Sequence, residues 1–398
     1  MLSKRVQNLK TSPTLALVAK AKELAAHGHD VISLTVGEPD WPTFSKASSA
    51  GIKAIESGNT KYTPAQGTVE LRKAIALKTE KLLGVPYAVN QVTVASGAKF
   101  IVFAALQVLC DVGDEVIISA PYWVSYPTMI ELADAKPVIV DCGAETQFKL
   151  TAEMLEKAIT PKTKIFLFCS PSNPTGIIYT RDELKAIADV LRRHPQVHVI
   201  SDDMYNLLMF GKMTVAPHLL HVAPDLIERV IAVNGGSKAY SMTGWRIGWG
   251  VGSAKIIKAM SDYQSQAIGS PSSIAQAAVK VALEECDVDL EGVNKKLLER
   301  KQICIDELQQ VAGFKVYEPQ GAFYLWVDIK AHLGKSYQGQ KVLNSKDFCD
   351  ILLDKFYVAT VPGIECGTEG YMRLSFATEV TLFKKAVVRM KDFISQLS

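Results

Sequence analysis

The middle of the chain alternates short β-branched runs with longer stretches that have helical spacing. Near-continuous apolar strands that alternate with helices predict a mostly parallel sheet covered by helices on both faces. One intervening helix, predicted over 180–193, opens with the capping box Thr180-x-x-Glu183. In such sheets ligands bind beyond the carboxyl ends of the strands. The predicted strands are QVTVAS (91–96), DEVIISA (114–120), TKIFLFCS (163–170), VHVISDD (197–203), RVIAVNG (229–235) and RIGWGVG (246–252).

The pattern changes near residue 291, where a long polar helix is predicted. It is followed by the apolar stretches FKVYE and AFYLWVDI, a helix near 345–356 and a closing helix after RLSFATE. Because 398 residues exceed the size at which one hydrophobic core stops growing, we expect two domains. We predict a large domain over 46–290 and a small α/β domain over 291–398. Residues 1–45 are expected to form an arm and part of the small domain.

Composition argues against several classes of partner. A formal charge of +3 and the absence of long runs of like charge give no reason to expect nucleic acid or an anionic membrane. The seven cysteines lack a CxxC spacing, which favours buried thiols over disulfides. Without a signal-peptide pattern or an apolar stretch of about 18 residues, a cytoplasmic protein is expected. No metal is expected, since no third ligand at a recognisable spacing accompanies the histidine pairs His27/His29, His194/His198 and His218/His221.

The segment NGGSKAYSMTGWRIGW (234–249) places Lys238 among small residues, eight positions before Arg246. The segment itself supplies no carboxylate, so burial of these cations would require an anion from elsewhere. Desolvation lowers the pKa of a lysine toward the range in which the neutral amine attacks carbonyls. We therefore interpret Lys238 as a Schiff-base lysine and Arg246 as a cation for a phosphate on the bound aldehyde. A surface lysine at a strand end is the alternative.

A set of short motifs extends this interpretation along the chain. They are VGEPD (36–40), KYTPAQG (61–67), SGAKF (96–100), PYWVSYP (121–127), SPSNPTG (170–176), SDDMY (201–205), SKAYSMTGWRIGW (237–249), GAFYLW (321–326) and MRLSFA (372–377). In this order they resemble the class I aminotransferases of fold type I, closest to the bacterial aspartate aminotransferase branch. The resemblance implies an α/β fold with a mostly parallel seven-stranded sheet in the large domain and a smaller α/β domain. It also implies pyridoxal 5′-phosphate as cofactor and a homodimer with shared active sites.

The resemblance assigns cofactor roles to the matching residues. Lys238 would be the covalent link and the catalytic group, and Asp202 the buried carboxylate that keeps the pyridine nitrogen protonated. Tyr205 and Asn173 match the donors to the phenolic oxygen, and Trp123 matches the ring that stacks on the pyridine. The phosphate is expected at the N-terminus of the helix that SGAKF opens. Its contacts would be Gly97, Ala98, Lys99, Ser237, Arg246 and, from the partner subunit by resemblance, Tyr62.

Three of these residues also have simpler structural interpretations. Asp202 could be a strand-end cap, Asn173 part of an Asn-Pro turn, and Trp123 an ordinary core residue. Asp203, next in the chain, stands where relatives commonly have glutamate.

Substrate binding is expected at Arg373 and Lys99. Arg373 matches the arginine that holds the α-carboxylate as a two-pronged fork, with a salt bridge to Glu365 or Glu369 as the alternative. A lysine in a first helical turn opposes the helix dipole unless an anion lies against it, and in the resembled branch Lys99 would point to the distal carboxylate of a dicarboxylic acid. Further contacts are expected from Gly37, Asn173 and Trp123, with Lys10 and Ser12 of the arm as secondary candidates.

These residues together predict transfer of the amino group of aspartate to 2-oxoglutarate by a ping-pong mechanism. Prephenate, aromatic or kynurenine transamination on the same fold is the nearest alternative. A β-lyase or an aminocyclopropane-type synthase would keep the cofactor and change the reaction, which Lys99 disfavours. A cofactor-sensing transcription factor is disfavoured because no helix-turn-helix precedes the motifs.

Overall fold

The computed structural model describes residues 2, 7 and 13–398 of the chain, so the arm candidates Lys10 and Ser12 lie outside the described residues. The strands are β1 (Ile32–Ser33), β2 (Val92–Ala95), β3 (Glu115–Ala120), β4 (Lys136–Asp141), β5 (Thr163–Cys169), β6 (His198–Asp202), β7 (Val230–Gly235), β8 (Gly248–Val251), β9 (Lys315–Tyr317), β10 (Tyr324–Asp328), β11 (Ser336–Tyr337), β12 (Gln340–Lys341), β13 (Val358–Ala359), β14 (Val361–Pro362) and β15 (Tyr371–Ser375).

The central sheet has seven strands in the order β2-β8-β7-β6-β5-β3-β4. Strands β4, β3, β5, β6 and β7 pair in parallel, whereas β8 runs antiparallel to both of its neighbours. The predicted mostly parallel sheet is therefore confirmed. Strand β4 is not one of the six predicted runs, because it lies at the sheet edge and its residues are only partly buried or exposed. An edge strand also tolerates Pro137, which has no N–H to donate.

Helices pack against this sheet, and the helix Ala98–Leu109 contacts β2, β7 and β8. The predicted capping box is confirmed: the Thr180 hydroxyl accepts from the Glu183 N–H at 3.2 Å, and the Glu183 carboxylate accepts from the Thr180 N–H at 2.7 Å. The α-helices are Pro13–Ala26, Ser45–Glu56, Val69–Leu83, Ala98–Leu109, Tyr126–Leu132, Ala152–Ala158, Arg181–Arg193, Ala254–Ala267, Ser273–Glu285, Asp287–Gln309, Ser345–Phe356 and Val380–Ser395.

The C-terminal part of the chain builds a separate four-stranded antiparallel sheet in the order β14-β15-β10-β9. Strand β1, near the N-terminus, pairs in parallel with β13, so these two residues lie beside the C-terminal part of the chain. Arg373 lies in β15, opposite Trp326 of β10.

Over residues 13–398 we find no helix with the length and apolar character needed to cross a membrane. The same part of the chain contains no group of three or more His, Cys, Asp or Glu side chains arranged to hold a metal ion.

The parallel strands bring their carboxyl ends to one edge of the central sheet. Asp202 ends β6, Lys238 follows β7 by three residues, and Asn173 follows β5 by four residues. Because β8 runs in the opposite direction, its first residue, Gly248, lies at the same edge. This edge is where the predicted site residues meet.

Candidate active site

A cavity of about 320 Å³ opens at the carboxyl edge of the sheet. Two predicted site residues are not part of its lining. Gly97 lies just behind it, as the N-cap of the helix Ala98–Leu109, and Tyr62 lies outside it with 99 % of its surface exposed. The predicted residues that line the cavity are Gly37, Ala98, Lys99, Trp123, Asn173, Asp202, Tyr205, Ser237, Lys238, Arg246 and Arg373.

Lys238 points its amine into this cavity from the loop after β7. Its Nζ donates to the carbonyl oxygen of Gly37 at 2.5 Å. Desolvation lowers the pKa of Lys238 to about 8, although the nearby carboxylate of Glu38 acts in the opposite direction. About a tenth of the amine is therefore neutral, and nucleophilic, at about pH 7, far more than for a lysine with the usual pKa.

Asp202 is buried at the end of β6, with 5 % of its surface exposed. Its Oδ2 accepts from the Tyr126 hydroxyl at 2.6 Å, and its Oδ1 accepts from the Met204 N–H at 3.3 Å. Burial raises the pKa of Asp202 to about 6, and both hydrogen bonds oppose that rise. The strand-end cap therefore exists, but the carboxylate also faces the cavity.

The helix Ala98–Leu109 starts at the cavity wall and directs its first N–H groups toward it. Its N-cap, Gly97, has φ of 96°, and a Cβ there would lie 2.5 Å from an Arg246 terminal nitrogen. Arg246 is exposed and donates to the Thr243 carbonyl at 2.9 Å. Backbone donors, a helix N-terminus and a guanidinium thus converge where an anion can bind.

Arg373 is a buried cation, only 3 % exposed, on the opposite side of the site. It donates to Asn173 Oδ1 at 2.9 Å and to the Thr35 carbonyl at 2.6 Å, and its guanidinium lies 4.5 Å from the centre of the Tyr324 ring. Among the described residues its Nε has no hydrogen-bond partner. Because buried donors require partners, this guanidinium is suited to bind an anion from the cavity.

Among the described residues, Arg373 forms no salt bridge with Glu365 or Glu369, the two alternatives expected from the sequence. Glu369 instead accepts from the Ser345 and Gly370 backbone N–H groups, each at 2.6 Å.

Lys99 lies at the mouth of the cavity, with its Nζ 5.1 Å from the centre of the Trp123 ring. Its pKa is lowered, chiefly by partial desolvation and then by the positive charge of Arg246. A second cavity, of about 500 Å³, adjoins the first here, and both are lined by Lys99 and Arg246. Its apolar wall includes Phe100 and Phe103.

Sequence reasoning did not identify two aromatic hydroxyls in the site. The Tyr324 hydroxyl lies 2.8 Å from that of Tyr205, and Tyr126 binds Asp202. Both tyrosines belong to motifs that the sequence analysis quotes, and Tyr126 follows Trp123 by three residues in PYWVSYP. That spacing gave no helix signal, because Trp123 precedes the helix, which begins at Tyr126, and the partners of both hydroxyls come from distant parts of the chain.

The residues present fit pyridoxal phosphate on structural grounds. The cofactor has an aldehyde, an aromatic ring with a basic nitrogen, and a phosphate, and the cavity has a matching group for each. Lys238 supplies a partly neutral amine, Asp202 a buried carboxylate, and Trp123 a half-buried indole. The N-terminus of the helix Ala98–Leu109 with Arg246 supplies the anion site.

Comparisons with known proteins agree with this geometry. The family model described as aminotransferase class I and II matches residues 29–389. A protein of Rickettsia bellii named "Probable aspartate/prephenate aminotransferase" is 44 % identical over 98 % of both chains, and an "Aspartate/prephenate aminotransferase" of Nitrosomonas europaea is 44 % identical over 99 % of this chain and 100 % of its own.

Solved structures lead to the same family. The aspartate aminotransferase of Rhizobium meliloti superposes with a TM-score of 0.96 at 39 % identity over 100 % of both chains. The Thermus thermophilus aspartate aminotransferase with maleate gives a TM-score of 0.91 at 36 % identity over 99 % of both chains. Fold, cavity chemistry and relatives agree, and the chain belongs to the aminotransferase class I and II family as a pyridoxal-phosphate-dependent aminotransferase of fold type I.

Proposed function

We propose that this enzyme is an aspartate aminotransferase, which transfers the amino group of L-aspartate to 2-oxoglutarate and yields oxaloacetate and L-glutamate. The observation that carries the proposal is the presence of two cations, Arg373 and Lys99, in the cavity that holds the Lys238 amine. A dicarboxylic amino acid needs one cation for each carboxylate. Relatives whose names include aspartate, and the maleate in the Thermus structure, support this substrate class.

Pyridoxal phosphate, when bound, supplies the electron sink that makes the substrate Cα–H acidic. Lys238 would hold the cofactor through its Nζ, and its free amine would be the base that accepts the proton from the substrate Cα. Its lowered pKa, about 8, suits that exchange near neutral pH. Because the first product leaves before the second substrate binds, the kinetics are ping-pong.

The other residues orient the reactants. Asp202 would supply the negative charge for the ring nitrogen, Trp123 a face for stacking, and Tyr205 and Asn173 donors for the phenolic oxygen. Asn173 Oδ1 accepts from Arg373, so the Nδ2 of Asn173 remains as a donor. The phosphate is held by Gly97, Ala98, Ser237 and Arg246, with Lys99 nearby.

The substrate's α-carboxylate binds the buried Arg373 and the Gly37 N–H. Lys99, at the cavity mouth, takes the distal carboxylate and thereby selects acidic substrates.

We also propose a homodimer in which Tyr62 completes the partner's phosphate site. The support is its exposure: a tyrosine with 99 % of its surface in solvent, and outside its own cavity, has almost no packing against the described residues of its own chain. The division into domains at 46–290 and 291–398 likewise stays a proposal, supported by the separate seven-stranded and four-stranded sheets. A cytoplasmic location remains a prediction from cysteine usage.

Prephenate or aromatic transamination is the second candidate. The second cavity beside Lys99, with Phe100 and Phe103 in its wall, offers room and aromatic surface for a ring, and relatives named aspartate/prephenate aminotransferase support it.

The test is single-turnover spectroscopy of the holoenzyme with one amino acid at a time: aspartate, glutamate, phenylalanine, tyrosine, kynurenine and alanine. Fast loss of the visible absorbance with the two acidic amino acids alone is the expected result. Comparable rates with phenylalanine and tyrosine would shift the assignment to the second candidate. No spectral change with any of them would contradict both.

A further inference from the structure

The Tyr126 side chain contacts both Asp202 and Trp123, two groups that the cofactor is expected to use. It belongs to the short helix Tyr126–Leu132 at the cavity wall and is 98 % buried, with 2 % of its surface exposed. Its hydroxyl donates to Asp202 Oδ2 at 2.6 Å. Its ring lies edge-to-face against Trp123, with the ring centres 5.4 Å apart and the planes at 88°.

The direction of the hydrogen bond follows from the charges of the two groups. Burial, and then the adjacent Asp202, raises the pKa of Tyr126 well above its usual range, so the phenol keeps its proton. The pKa of Asp202 is raised to about 6, so this carboxyl is ionised above that pH. Tyr126 is therefore the donor and Asp202 the charged acceptor, which makes the bond charge-assisted and strong.

The contact to Trp123 has a different physical basis. An edge-to-face pair places the positive ring edge of one aromatic on the negative face of the other and fixes their relative orientation. Trp123 is only half-buried, so this contact restricts a ring that could otherwise turn toward solvent. One residue thus restrains both a carboxylate and an indole that the cofactor needs.

We propose that Tyr126 is a positioning residue for pyridoxal phosphate: its hydroxyl holds Asp202 in the orientation and charge state that the ring nitrogen requires, and its ring fixes the orientation of Trp123 through the edge-to-face contact. Tyr126 acts through these two neighbours. The inference rests on the proposed function only in that the cavity binds pyridoxal phosphate.

The test compares Tyr126→Phe with Tyr179→Phe in the holoenzyme. Tyr179 is a matched control, because it is also a buried tyrosine with a hydrogen-bonded hydroxyl, to the Leu150 N–H at 3.0 Å, but it does not line the cavity. The dissociation constant of pyridoxal phosphate is measured between about pH 6 and 8, together with the thermal midpoint.

Loss of the Tyr126 hydroxyl should change how the affinity for pyridoxal phosphate depends on pH. Without its donor, Asp202 takes up a proton at higher pH, so cofactor binding by Tyr126→Phe weakens on acidification sooner than that of the wild type. The expected loss is roughly tenfold to a hundredfold below about pH 7, as for a hydrogen bond to a charged group. Tyr179→Phe should follow the wild-type profile even if its thermal midpoint falls.

Tyr126→Leu separates the two contacts. It removes the aromatic ring as well as the hydroxyl. We therefore expect it to bind pyridoxal phosphate more weakly than Tyr126→Phe does, by a factor that does not vary with pH. Equal affinities of the Phe and Leu variants would overturn the role toward Trp123. An unchanged pH profile in Tyr126→Phe would overturn the role toward Asp202. Because cofactor retention requires no amino acid, failure with aspartate would contradict the proposed substrate and leave this test intact.

Discussion

Asn173 and Arg373, 200 positions apart in the chain, are joined by a 2.9 Å hydrogen bond from the guanidinium to the amide oxygen. The bond links the loop after β5 in the central sheet to β15 in the C-terminal sheet. It fixes the guanidinium plane in a buried position, and the Thr35 carbonyl at 2.6 Å fixes it from a second side. Arginine is suited to this role because its planar fork presents several donors at fixed angles.

Arg373→Lys is expected to weaken every amino acid substrate. Lysine keeps the charge but cannot contact Asn173, Thr35 and a carboxylate in one plane. Since the α-carboxylate is common to all substrates, kcat/KM should fall roughly tenfold to a hundredfold for aspartate and alanine alike. Steady-state kinetics with both amino acids test this. A loss confined to aspartate would mean that Arg373 binds the distal carboxylate instead.

Lys99→Ala should have the opposite selectivity. The side chain lines the cavity beside Trp123, where its charge would favour a substrate that carries a second, distal carboxylate. We expect kcat/KM to fall about tenfold or more for aspartate and glutamate, with little change for alanine and phenylalanine. Lys99→Arg, which retains the charge, should recover part of the loss. Equal losses for all four amino acids would assign Lys99 to the cofactor phosphate.

The sequence predicted the parallel sheet well because buried strands such as β5 and β6 are continuous apolar runs. It did not predict β4, because an edge strand that is partly exposed lacks such a run. Among the site residues, Lys238 and Arg246 stand out from local composition alone. Arg373 does not: its environment depends on Asn173 and Thr35, which are distant in sequence and meet only in the folded chain.

The roles of the Tyr126 and Tyr324 hydroxyls likewise could not be predicted from the sequence. Tyrosine within an apolar motif is compatible with simple core packing, and both residues are indeed buried. What distinguishes them is the partner of each hydroxyl, Asp202 in one case and Tyr205 in the other. Partners supplied by other strands cannot be derived from local spacing.

The lowered pKa of Lys238 predicts how the cofactor-free enzyme captures pyridoxal phosphate. Only the neutral amine attacks the aldehyde, and the pKa of Lys238 lies at about 8. The capture rate should therefore rise about tenfold per pH unit below that value and level off above it. Stopped-flow absorbance between about pH 7 and 10 follows the reaction.

Lys238→Ala is the control for this experiment. It should bind some cofactor through Asp202 and Arg246 without the absorbance of the lysine-linked form, and it should lose turnover. A wild-type rate that continues to rise up to about pH 10 would indicate a lysine with an ordinary pKa.

Gly248 sets the position of the helix that is to receive the phosphate. A Cβ at Gly248 would lie 2.2 Å from the Ala98 backbone nitrogen and 2.7 Å from the Gly97 carbonyl carbon, which no side-chain movement can relieve. Gly248→Ala must therefore displace the first turn of the helix Ala98–Leu109. We expect a loss of about 1–3 kcal/mol in the free energy of unfolding, as for overpacking in a core.

Cofactor binding should respond to the same displacement, because the N–H groups of that first turn no longer point at the phosphate. Gly244→Ala is a matched control four residues earlier, where a Cβ would meet no atom within 4 Å. Equilibrium titration with pyridoxal phosphate and, separately, with inorganic phosphate measures the effect on the anion site alone. If both variants bound the two ligands equally well, the phosphate would have to be held by side chains such as Arg246 rather than by the helix N-terminus.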